Sequence, residues 1–401
     1  MFEPVRGTVV RYGKGLSFAL FALALGWTLF CLKFIPRPFL WLFPAWILVC
    51  LFTLATLRQH GLRAVLFNLA VVLAALAIFE AYARHVIRLR EQSRVTYDRD
   101  YWAEDSVLGV VPKKDIVARA KKTHRDETIY DVAYTIGPDG LRISPPDNGP
   151  RSKGCAIFFG CSLTFGEGLR DDQAMPFRVG VISKGDYRIY NFGFHGYGPH
   201  HMLAAIEQGI VEQTVQCRPT HVIYQAFAQH AYRAAGLRWW GRRSPRYRLQ
   251  SDGTVRRDGF FDDGDISAIP VFSIVWEQWR KSYTSEFLES RPRRLTDDDK
   301  KRFLAIVKTS ARLIRQKFPG CQFDVLFWRT LGGGNELDDG HNDVLDGLRA
   351  ADFRVHLVED ILPDYTHDPS QYLIGEHDQH PNALADEMIA EYVVREILGN
   401  K

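Results

Sequence analysis

The fold of this chain depends on the stretch Cys155-Ala156-Ile157-Phe158-Phe159-Gly160-Cys161-Ser162-Leu163-Thr164-Phe165-Gly166-Glu167-Gly168. Its first half is a short apolar run, which is typical of a strand buried on both faces of a parallel sheet. The run stops at Gly160, and Ser162 follows where the chain can turn towards a helix. At the carboxyl end of such a strand, the Ser162 hydroxyl and free backbone N–H groups face one crevice. The pattern predicts a nucleophile beside anion donors, although a serine that only caps the next helix has the same pattern.

A second polar motif lies near the carboxyl end, where Asp378-Gln379-His380-Pro381-Asn382 precedes a helical pattern over residues 383–398. Asp378 and His380 are two positions apart, so the carboxylate can orient the imidazole if the chain turns between them. His377 is an alternative base, but the Pro-Asn that follows His380 favours His380. The chain therefore carries a serine, an acid and a histidine in that order.

With both motifs in view, the sequence resembles the SGNH/GDSL hydrolase superfamily of esterases, lipases and carbohydrate acyl-group enzymes. The first block of that superfamily, Gly-Asp-Ser with a small-residue turn, is similar to the stretch at Ser162, with Cys161 in place of the acid. Its last block, an Asp shortly before His-Pro-Asn, is similar to residues 378–382. The resemblance implies a three-layer α/β/α domain with a flavodoxin-like parallel sheet, a Ser162–His380–Asp378 triad, and no cofactor or metal.

Ester cleavage also requires donors for the negative charge that develops on the carbonyl oxygen. Gly196 follows a predicted strand at 187–192 and matches the superfamily's second block, whose glycine donates its backbone N–H. A third predicted strand, 221–227, runs into Phe227-Ala228-Gln229-His230, where relatives usually have Gly-x-Asn-Asp. Gln229 retains a carboxamide donor. The resemblance thus implies an oxyanion hole made by Ser162, Gly196 and Gln229, with His230 as a second donor or base; a structural capping role for Gln229 or His230 is the alternative.

Three apolar stretches, residues 16–35, 39–57 and 64–83, precede these motifs. Each has about 18 to 20 residues, enough to cross the hydrocarbon core of a membrane. A cleaved signal peptide would not be followed by two more such stretches. Residues 1–94 are therefore predicted to form an integral membrane anchor with three transmembrane helices, rather than a buried bundle of a soluble protein.

The orientation of this anchor depends on which cationic residues face the cytoplasm, and the overall balance of Lys and Arg leaves both orientations open. If the first helix dominates, Arg6, Arg11 and Lys14 hold the N-terminus inside and the large domain outside. The resemblance implies the same arrangement. We therefore expect a bacterial inner-membrane protein with its catalytic domain on the periplasmic side.

Strand and helix patterns alternate through residues 151–401, which predicts one α/β hydrolase domain with a parallel sheet. Residues 95–150 are predicted to be an extended, hairpin-containing prelude that covers a sheet edge. The alternation breaks between about 236 and 294. An insertion of this length beside a catalytic crevice is typical of a lid or a substrate wall.

Composition excludes some classes of function. The net charge of +4 over 401 residues is small, and no basic run is interleaved with aromatic residues, so nucleic acid is not an expected partner. The six cysteines show neither metal-ligand spacing nor a paired disulfide framework, and we expect them to be free and buried. Cys161, beside Ser162, is a rival nucleophile.

These observations predict a membrane-anchored serine esterase or deacylase that acts on an acylated glycan or lipid. An O-acyltransferase that modifies an envelope polysaccharide through the same acyl-enzyme is the first alternative. The second is a catalytically silent binding or scaffold protein that keeps the fold, because residues 227–230 depart from the superfamily pattern.

Overall fold

The computed structural model describes residues 4–56, 59–90, 92–238, 241–263, 276–291, 294–331 and 338–399. The chain divides into two compact units. The helical unit comprises Met1–Glu91 and Gly264–Arg291, and the sheet unit comprises Gln92–Asp263 and Pro292–Lys401. The segment interpreted as an insertion is thus shared between the two units, and its residues 239–240, 264–275 and 292–293 lie outside the described residues.

The helices and strands are named in chain order. The α-helices are α1 Pro4–Phe34, α2 Phe39–Thr56, α3 His60–Arg90, α4 Ser162–Phe165, α5 Met175–Ile182, α6 Pro199–Glu207, α7 Ile210–Thr214, α8 Gln229–Ala234, α9 Tyr283–Glu289, α10 Asp297–Lys317, α11 Asp338–Ala350 and α12 Ala383–Tyr392. The strands are β1 Ser93–Tyr97, β2 Trp102–Asp105, β3 Gly109–Pro112, β4 Ile116–His124, β5 Glu127–Ile136, β6 Gly154–Phe159, β7 Tyr187–Asn191, β8 Pro219–Phe227, β9 Pro245–Leu249, β10 Val255–Phe260, β11 Gln322–Trp328, β12 Arg354–Leu357, β13 Leu373–Gly375 and β14 Asp378–Pro381.

The helical unit contains the three apolar stretches, each as a helix. Among the described residues, one helix, over His60–Leu89, is long and apolar enough to cross a membrane. Phe18–Phe34 and Phe39–Ala55 are shorter apolar helices. The three-span anchor therefore stays a prediction, since length and composition single out only the third stretch.

A buried carboxylate joins α3 to α9 within the helical unit. The two oxygens of Glu80 accept hydrogen bonds from the backbone N–H groups of Tyr283 and Thr284, at 3.0 and 2.9 Å. These groups lie in the first turn of α9, where backbone N–H groups lack partners within the helix and the helix dipole favours negative charge. Arg37 adds an ion pair to Glu286 in the same helix, at 2.8 Å.

The sheet unit is organised around a five-stranded sheet in the order β12-β11-β8-β6-β7, and all of its neighbouring strands are parallel. If these five strands are numbered 1 to 5 in chain order, the sheet read from β7 to β12 has the order 2-1-3-4-5, which is that of flavodoxin-like folds. The predicted mixed α/β fold with a parallel sheet is confirmed. In such a sheet the ligand crevice lies outside the carboxyl ends of the strands where the order reverses, which here is beside β6 and β8.

Two apolar clusters cover the two faces of this sheet, because successive side chains of a strand point to opposite sides. Ile157 of β6 belongs to a cluster with residues of α6, α10 and α11. Its neighbour Phe158 belongs to a second cluster with residues of α5 and α12. The sheet is therefore enclosed between helices, and β6 is buried on both faces as its continuous apolar run predicts.

Residues 92–136 form a three-stranded antiparallel sheet in the order β1-β4-β5 and the two-stranded sheet β2-β3. In β5 the buried side chains include Tyr130, Tyr134 and Ile136, so one face of this strand is turned inward. Arg142 follows and forms isolated bridges with both Ile136 of β5 and Asn191 of β7. The antiparallel sheet is thereby connected to the edge of the parallel sheet.

The cysteines differ from expectation in one respect. Cys155 and Cys217 form a disulfide, with Cα atoms 6.0 Å apart, whereas the sequence predicted free thiols. Cys155 lies in β6 and Cys217 just before β8, and these strands are parallel neighbours, so the two residues meet at the same end of the sheet. Cys31, Cys50, Cys161 and Cys321 are free and buried.

Candidate active site

Ser162 is the first residue of the short helix α4, in the tight turn after β6. Its carbonyl oxygen accepts hydrogen bonds from the backbone N–H groups of Gly166 and Glu167, at 3.0 and 2.9 Å, which closes the turn. Gly160 permits this geometry because a Cβ there would lie 2.0 Å from the Thr164 Oγ1. The serine is thus presented on a rigid turn and is 8% exposed.

The structure brings Ser162, His380 and Asp378 together. His380 Nε2 lies 2.9 Å from the Ser162 Oγ, and His380 Nδ1 lies 2.6 Å from the Asp378 Oδ1. The same Oδ1 accepts the backbone N–H of His380 at 2.9 Å. This bond folds the Asp378 side chain back onto the residue two positions later, as in an Asx turn, which is how two residues of one short strand meet.

The hydrogen-bond chain determines the state of the imidazole. An ionised Asp378 can only accept, so Nδ1 of His380 carries the hydrogen and Nε2 is left to accept from the Ser162 hydroxyl. Burial opposes ionisation of Asp378, but the hydrogen bond and charge of His380, together with Lys122, hold the pKa of this carboxyl below its usual value. The geometry and the charges therefore favour the same tautomer.

Lys122 of β4 was not identified by sequence reasoning. Its Nζ lies 2.9 Å from the Asp378 Oδ2, and the two side chains are 14% and 0% exposed. The lysine thus neutralises a carboxylate that would otherwise be buried with only an imidazole beside it. No sequence pattern marks this residue, which lies in a strand of the region predicted only to cover the sheet edge.

Glu167 and His195 were also missed as site residues. Glu167 Oε2 lies 2.6 Å from His195 Nδ1 and 3.7 Å from His380 Nε2. Its Oε1 accepts hydrogen bonds from the hydroxyls of Tyr97 and Tyr130, at 3.1 and 3.2 Å. The available signal was an acid placed between glycines in an otherwise apolar turn, five positions after the serine.

Ser162 lies in the wall of a pocket of about 360 Å³. Ser162, Gly196 and His195 contribute to its wall, with Arg233 and Arg243 among the other lining residues. Gly196 has φ +74°, a left-handed backbone conformation that residues other than glycine rarely adopt. The structure therefore places the predicted glycine donor and the predicted nucleophile in the wall of one pocket.

The third predicted block is placed differently. Gln229 is the first residue of α8, its side-chain oxygen accepts from Arg238 Nη2 at 2.6 Å, and it is not among the described residues that line the pocket. His230 is fully buried with its Nδ1 2.7 Å from the Tyr224 hydroxyl. Burial and the nearby Arg233 lower the pKa of His230 well below its usual value. Because α8 begins here, both residues serve local contacts.

The two remaining predicted site residues, His377 as an alternative base and Cys161 as a rival nucleophile, lie as follows. The ring of His377 stacks on that of His124, with ring centroids 3.5 Å apart, whereas His380 is the histidine within hydrogen-bonding distance of the Ser162 hydroxyl. Cys161 is buried at 1% exposure in the turn beside Ser162. Within the described ranges, no group of three or more His, Cys, Asp or Glu side chains is arranged to hold a metal ion.

No protein-family model and no curated protein matches this chain. Solved structures similar to it include a protein of the G-D-S-L family described as lipolytic, from Desulfitobacterium hafniense, at 10% identity over 60% of this chain and 97% of that one, with a TM-score of 0.34. A GDSL-like lipase from Bacteroides thetaiotaomicron matches at 10% identity over 64% and 92% of the chains, with a TM-score of 0.31. AlinE4, an SGNH-hydrolase family esterase, matches at 13% over 62% and 96%, with a TM-score of 0.31. All three names belong to the superfamily that the motifs resemble.

Proposed function

We propose that this protein is a serine esterase or deacylase of the SGNH type that uses Ser162, His380 and Asp378. The observation that carries the proposal is the continuous chain of short contacts from serine to imidazole to carboxylate, at 2.9 and 2.6 Å. This arrangement activates a hydroxyl, which is a weak nucleophile at neutral pH, through an oriented base. A helix cap or a structural serine would require neither the imidazole nor the carboxylate behind it.

In the proposed reaction, the Ser162 Oγ attacks the carbonyl carbon of an ester while its proton passes to His380 Nε2. The oxygen that becomes negative is bound by the backbone N–H groups of Ser162 and Gly196. The imidazolium, stabilised by Asp378, then gives its proton to the departing alkoxide, and an acyl-enzyme remains. Water, deprotonated by His380, attacks the acyl carbon, and Ser162 recovers its proton as the acid is released.

Lys122 supports this cycle indirectly, through Asp378. It keeps Asp378 ionised and fixes the Oδ2 atom, so that Oδ1 is directed to His380. Gln229 has no role in the oxyanion hole of this proposal, because it is not among the described residues that line the pocket beside Ser162 and Gly196. The departure of residues 227–230 from the superfamily pattern is thus compatible with catalysis by two backbone donors, each of which is worth about 3 kcal/mol.

We propose that the protein acts at a bacterial inner membrane, with the sheet unit on the periplasmic side, on an acylated glycan or lipid. The helix over His60–Leu89 supports membrane attachment. The Cys155–Cys217 disulfide supports the periplasmic side, because disulfides persist in oxidising compartments and are rare in the cytosol.

The test uses the full chain in detergent with p-nitrophenyl acetate and with an acetylated oligosaccharide. We expect hydrolysis, and a loss of at least about 10³-fold in Ser162→Ala. Ser310→Ala is the matched control, since Ser310 is also buried but, among the described hydrogen bonds, donates to the carbonyl of Ile306 within α10.

Each outcome decides between the candidates. Activity retained by Ser162→Ala would remove Ser162 as the nucleophile. Acyl transfer to an added unacylated oligosaccharide, in preference to water, would identify the O-acyltransferase. No turnover and no reaction of Ser162 with any acyl donor would leave the binding or scaffold protein.

A further inference from the structure

A second carboxylate lies on the reactive side of the candidate base. Glu167 Oε2 is 3.7 Å from His380 Nε2, the nitrogen that faces Ser162, whereas Asp378 lies against the opposite nitrogen. The Glu167 side chain is 10% exposed, so solvent screens its charge only weakly. The imidazole of His380 therefore has an acid at each end of its ring.

The Glu167 carboxylate is held in place by hydrogen bonds at both of its oxygens. Its Oε1 accepts from two tyrosines of the antiparallel sheet, Tyr97 and Tyr130, and its Oε2 bonds to His195. In the described part of the chain, its ion pairs are with the two imidazoles. Both carboxylate oxygens are thus occupied, which leaves Glu167 poorly suited to remove a proton from substrate or water.

The turn that carries Glu167 is fixed as firmly as the side chain. The Glu167 backbone N–H donates to the Ser162 carbonyl at 2.9 Å. Arg142, almost completely buried, donates to the carbonyl oxygens of Phe165 and Gly166 at 2.7 Å and of Leu169 at 2.6 Å. Glu167 and the nucleophile therefore belong to one rigid turn, and the distance from Glu167 to His380 is set by the fold.

We propose that Glu167 is a second positioning carboxylate of the site, which stabilises the protonated form of His380 from the side of the nucleophile while Asp378 stabilises it from the other. This inference rests on the proposed function. In the resting site Nε2 carries a lone pair, and a negative charge 3.7 Å away stabilises nothing there. Once Nε2 takes the serine proton, the positive charge lies between two carboxylates. Glu167 therefore favours the charge distribution of the transition state over that of the ground state.

His195 contributes by orienting Glu167. Its two ring nitrogens lie 2.6 Å from Glu167 Oε2 and 2.7 Å from the Tyr101 hydroxyl, so neither is available to a substrate even though the residue lines the pocket. The rings of Tyr97, Trp102 and Phe165 pack around it. The Tyr101–His195–Glu167 chain is a second hydrogen-bonded series that ends at the catalytic imidazole.

The balance of charges agrees with this geometry. Burial alone would raise the pKa of Glu167, but His195, His380 and the hydrogen bonds from His195 and Tyr97 hold it well below its usual value, so the group stays ionised. Burial opposes protonation of His380, while Glu167 and then Asp378 raise the pKa of this imidazole and Lys122 lowers it. The groups that face His380 are thus Ser162, Glu167 and Asp378, with Lys122 behind Asp378.

The experiment measures the rate at which a fluorophosphonate inactivates the full-length protein between pH 4.5 and 9. This reaction needs only the nucleophile and its base, so the natural substrate does not have to be known. Glu167→Gln keeps the size of the side chain and removes its charge, so the pKa of His380 falls. We expect the midpoint of the pH profile to move to lower pH, and the plateau rate to fall about tenfold because the base is weaker.

Glu207→Gln is the matched control, because Glu207 also accepts from a buried tyrosine, Tyr247, at 2.6 Å but lies outside the site. Its profile should overlay that of the wild type. If Glu167→Gln does not fold, Tyr130→Phe replaces it. Loss of the Tyr130 hydroxyl removes one hydrogen bond to Glu167, so the negative charge of Glu167 acts more strongly on His380. The midpoint of the pH profile should then move to higher pH.

A Glu167→Gln profile that matches the wild type, or a Tyr130→Phe midpoint that stays or falls, would overturn the inference while leaving the serine mechanism intact. Labelling that persists in Ser162→Ala would instead overturn the proposed function. The two failures are therefore distinguishable in one set of measurements.

Discussion

Replacing Lys122 by Met tests the support of the triad, because it removes a charge and keeps a chain of similar length. The Nζ–Oδ2 contact of 2.9 Å is buried, and Asp378 is 0% exposed. Breaking a buried ion pair from one side costs about 3–5 kcal/mol. Asp378 retains both hydrogen bonds from His380 on Oδ1, so only the Oδ2 bond is lost, and a hydrogen bond to a charged group is worth about 1.5–3 kcal/mol. We expect destabilisation of about 2–3 kcal/mol, or a Tm about 5–10 °C lower.

The substitution should also change the pH dependence in a defined direction. Lys122 lowers the pKa of both Asp378 and His380. Since the folded-state pKa of Asp378 is depressed, its contribution to stability is present above the unfolded pKa and is lost as pH falls through the folded pKa. The difference in Tm between wild type and Lys122→Met should therefore be largest near neutral pH and shrink in acid. The midpoint of the activity profile should move to higher pH, opposite to Glu167→Gln.

Thermal melts and pH–rate profiles of the full-length protein measure both effects. Lys121→Met is the matched control, because consecutive residues of β4 point to opposite faces and Lys121 has no contact with Asp378 among the described hydrogen bonds and ion pairs. Equal Tm losses in the two variants, or an activity midpoint that moves to lower pH in Lys122→Met, would refute the assignment of Lys122 to the triad.

Three further predictions follow from the structure. Gly160→Ala should lower the free energy of unfolding by about 1–3 kcal/mol and reduce labelling of Ser162, because the new Cβ would overlap the Thr164 Oγ1. Chemical denaturation measures the free energy of unfolding, and a variant as stable as the wild type would contradict this prediction. Asp386 is buried and its pKa is raised to about 8, so its contribution to stability is full below the unfolded pKa and is lost as pH rises through about 8. Asp386→Asn should therefore gain Tm relative to wild type at pH 8.5 more than at pH 5, and parallel pH–Tm curves would refute this. Finally, peptide mapping without reductant should recover Cys155 linked to Cys217. Alkylation of Cys155 and Cys217 in the untreated protein would contradict that pairing.

The residues that could be predicted from sequence are those whose geometry is local. The β6 strand ends in a turn that carries Ser162, and the Asp378–His380 pair is closed by a backbone hydrogen bond across two positions. Such features involve residues only a few positions apart in the chain, so their spacing can be read directly from the sequence. The parallel sheet was also predictable, because strands that alternate with helices can only be joined by crossovers.

The residues that could not be predicted depend on packing between distant segments. Lys122 reaches Asp378 across 256 positions of the chain, from a strand in which no sequence pattern marks this lysine. Glu167 is oriented by His195, and that histidine lies in the next βα turn along the chain. Gln229 was assigned by position in a motif, but the helix that begins there directs its side chain to Arg238.

The cysteine pairing was within reach of the sequence argument. Once β6 and β8 are taken as parallel neighbours, residues that precede or begin these strands lie side by side, and Cys155 and Cys217 are such a pair. Their wide separation in sequence, 62 positions, concealed a short separation in space. Strand order was therefore the missing information, rather than spacing.

The most direct measurement is peptide mass spectrometry of the full-length protein after brief treatment with a fluorophosphonate, to find which residue carries the phosphonyl group. The account predicts a single adduct on Ser162, and no adduct in His380→Gln after the same time. An adduct on another residue, or equal modification of Ser162 with and without the His380 imidazole, would contradict a catalytic Ser162–His380–Asp378 site.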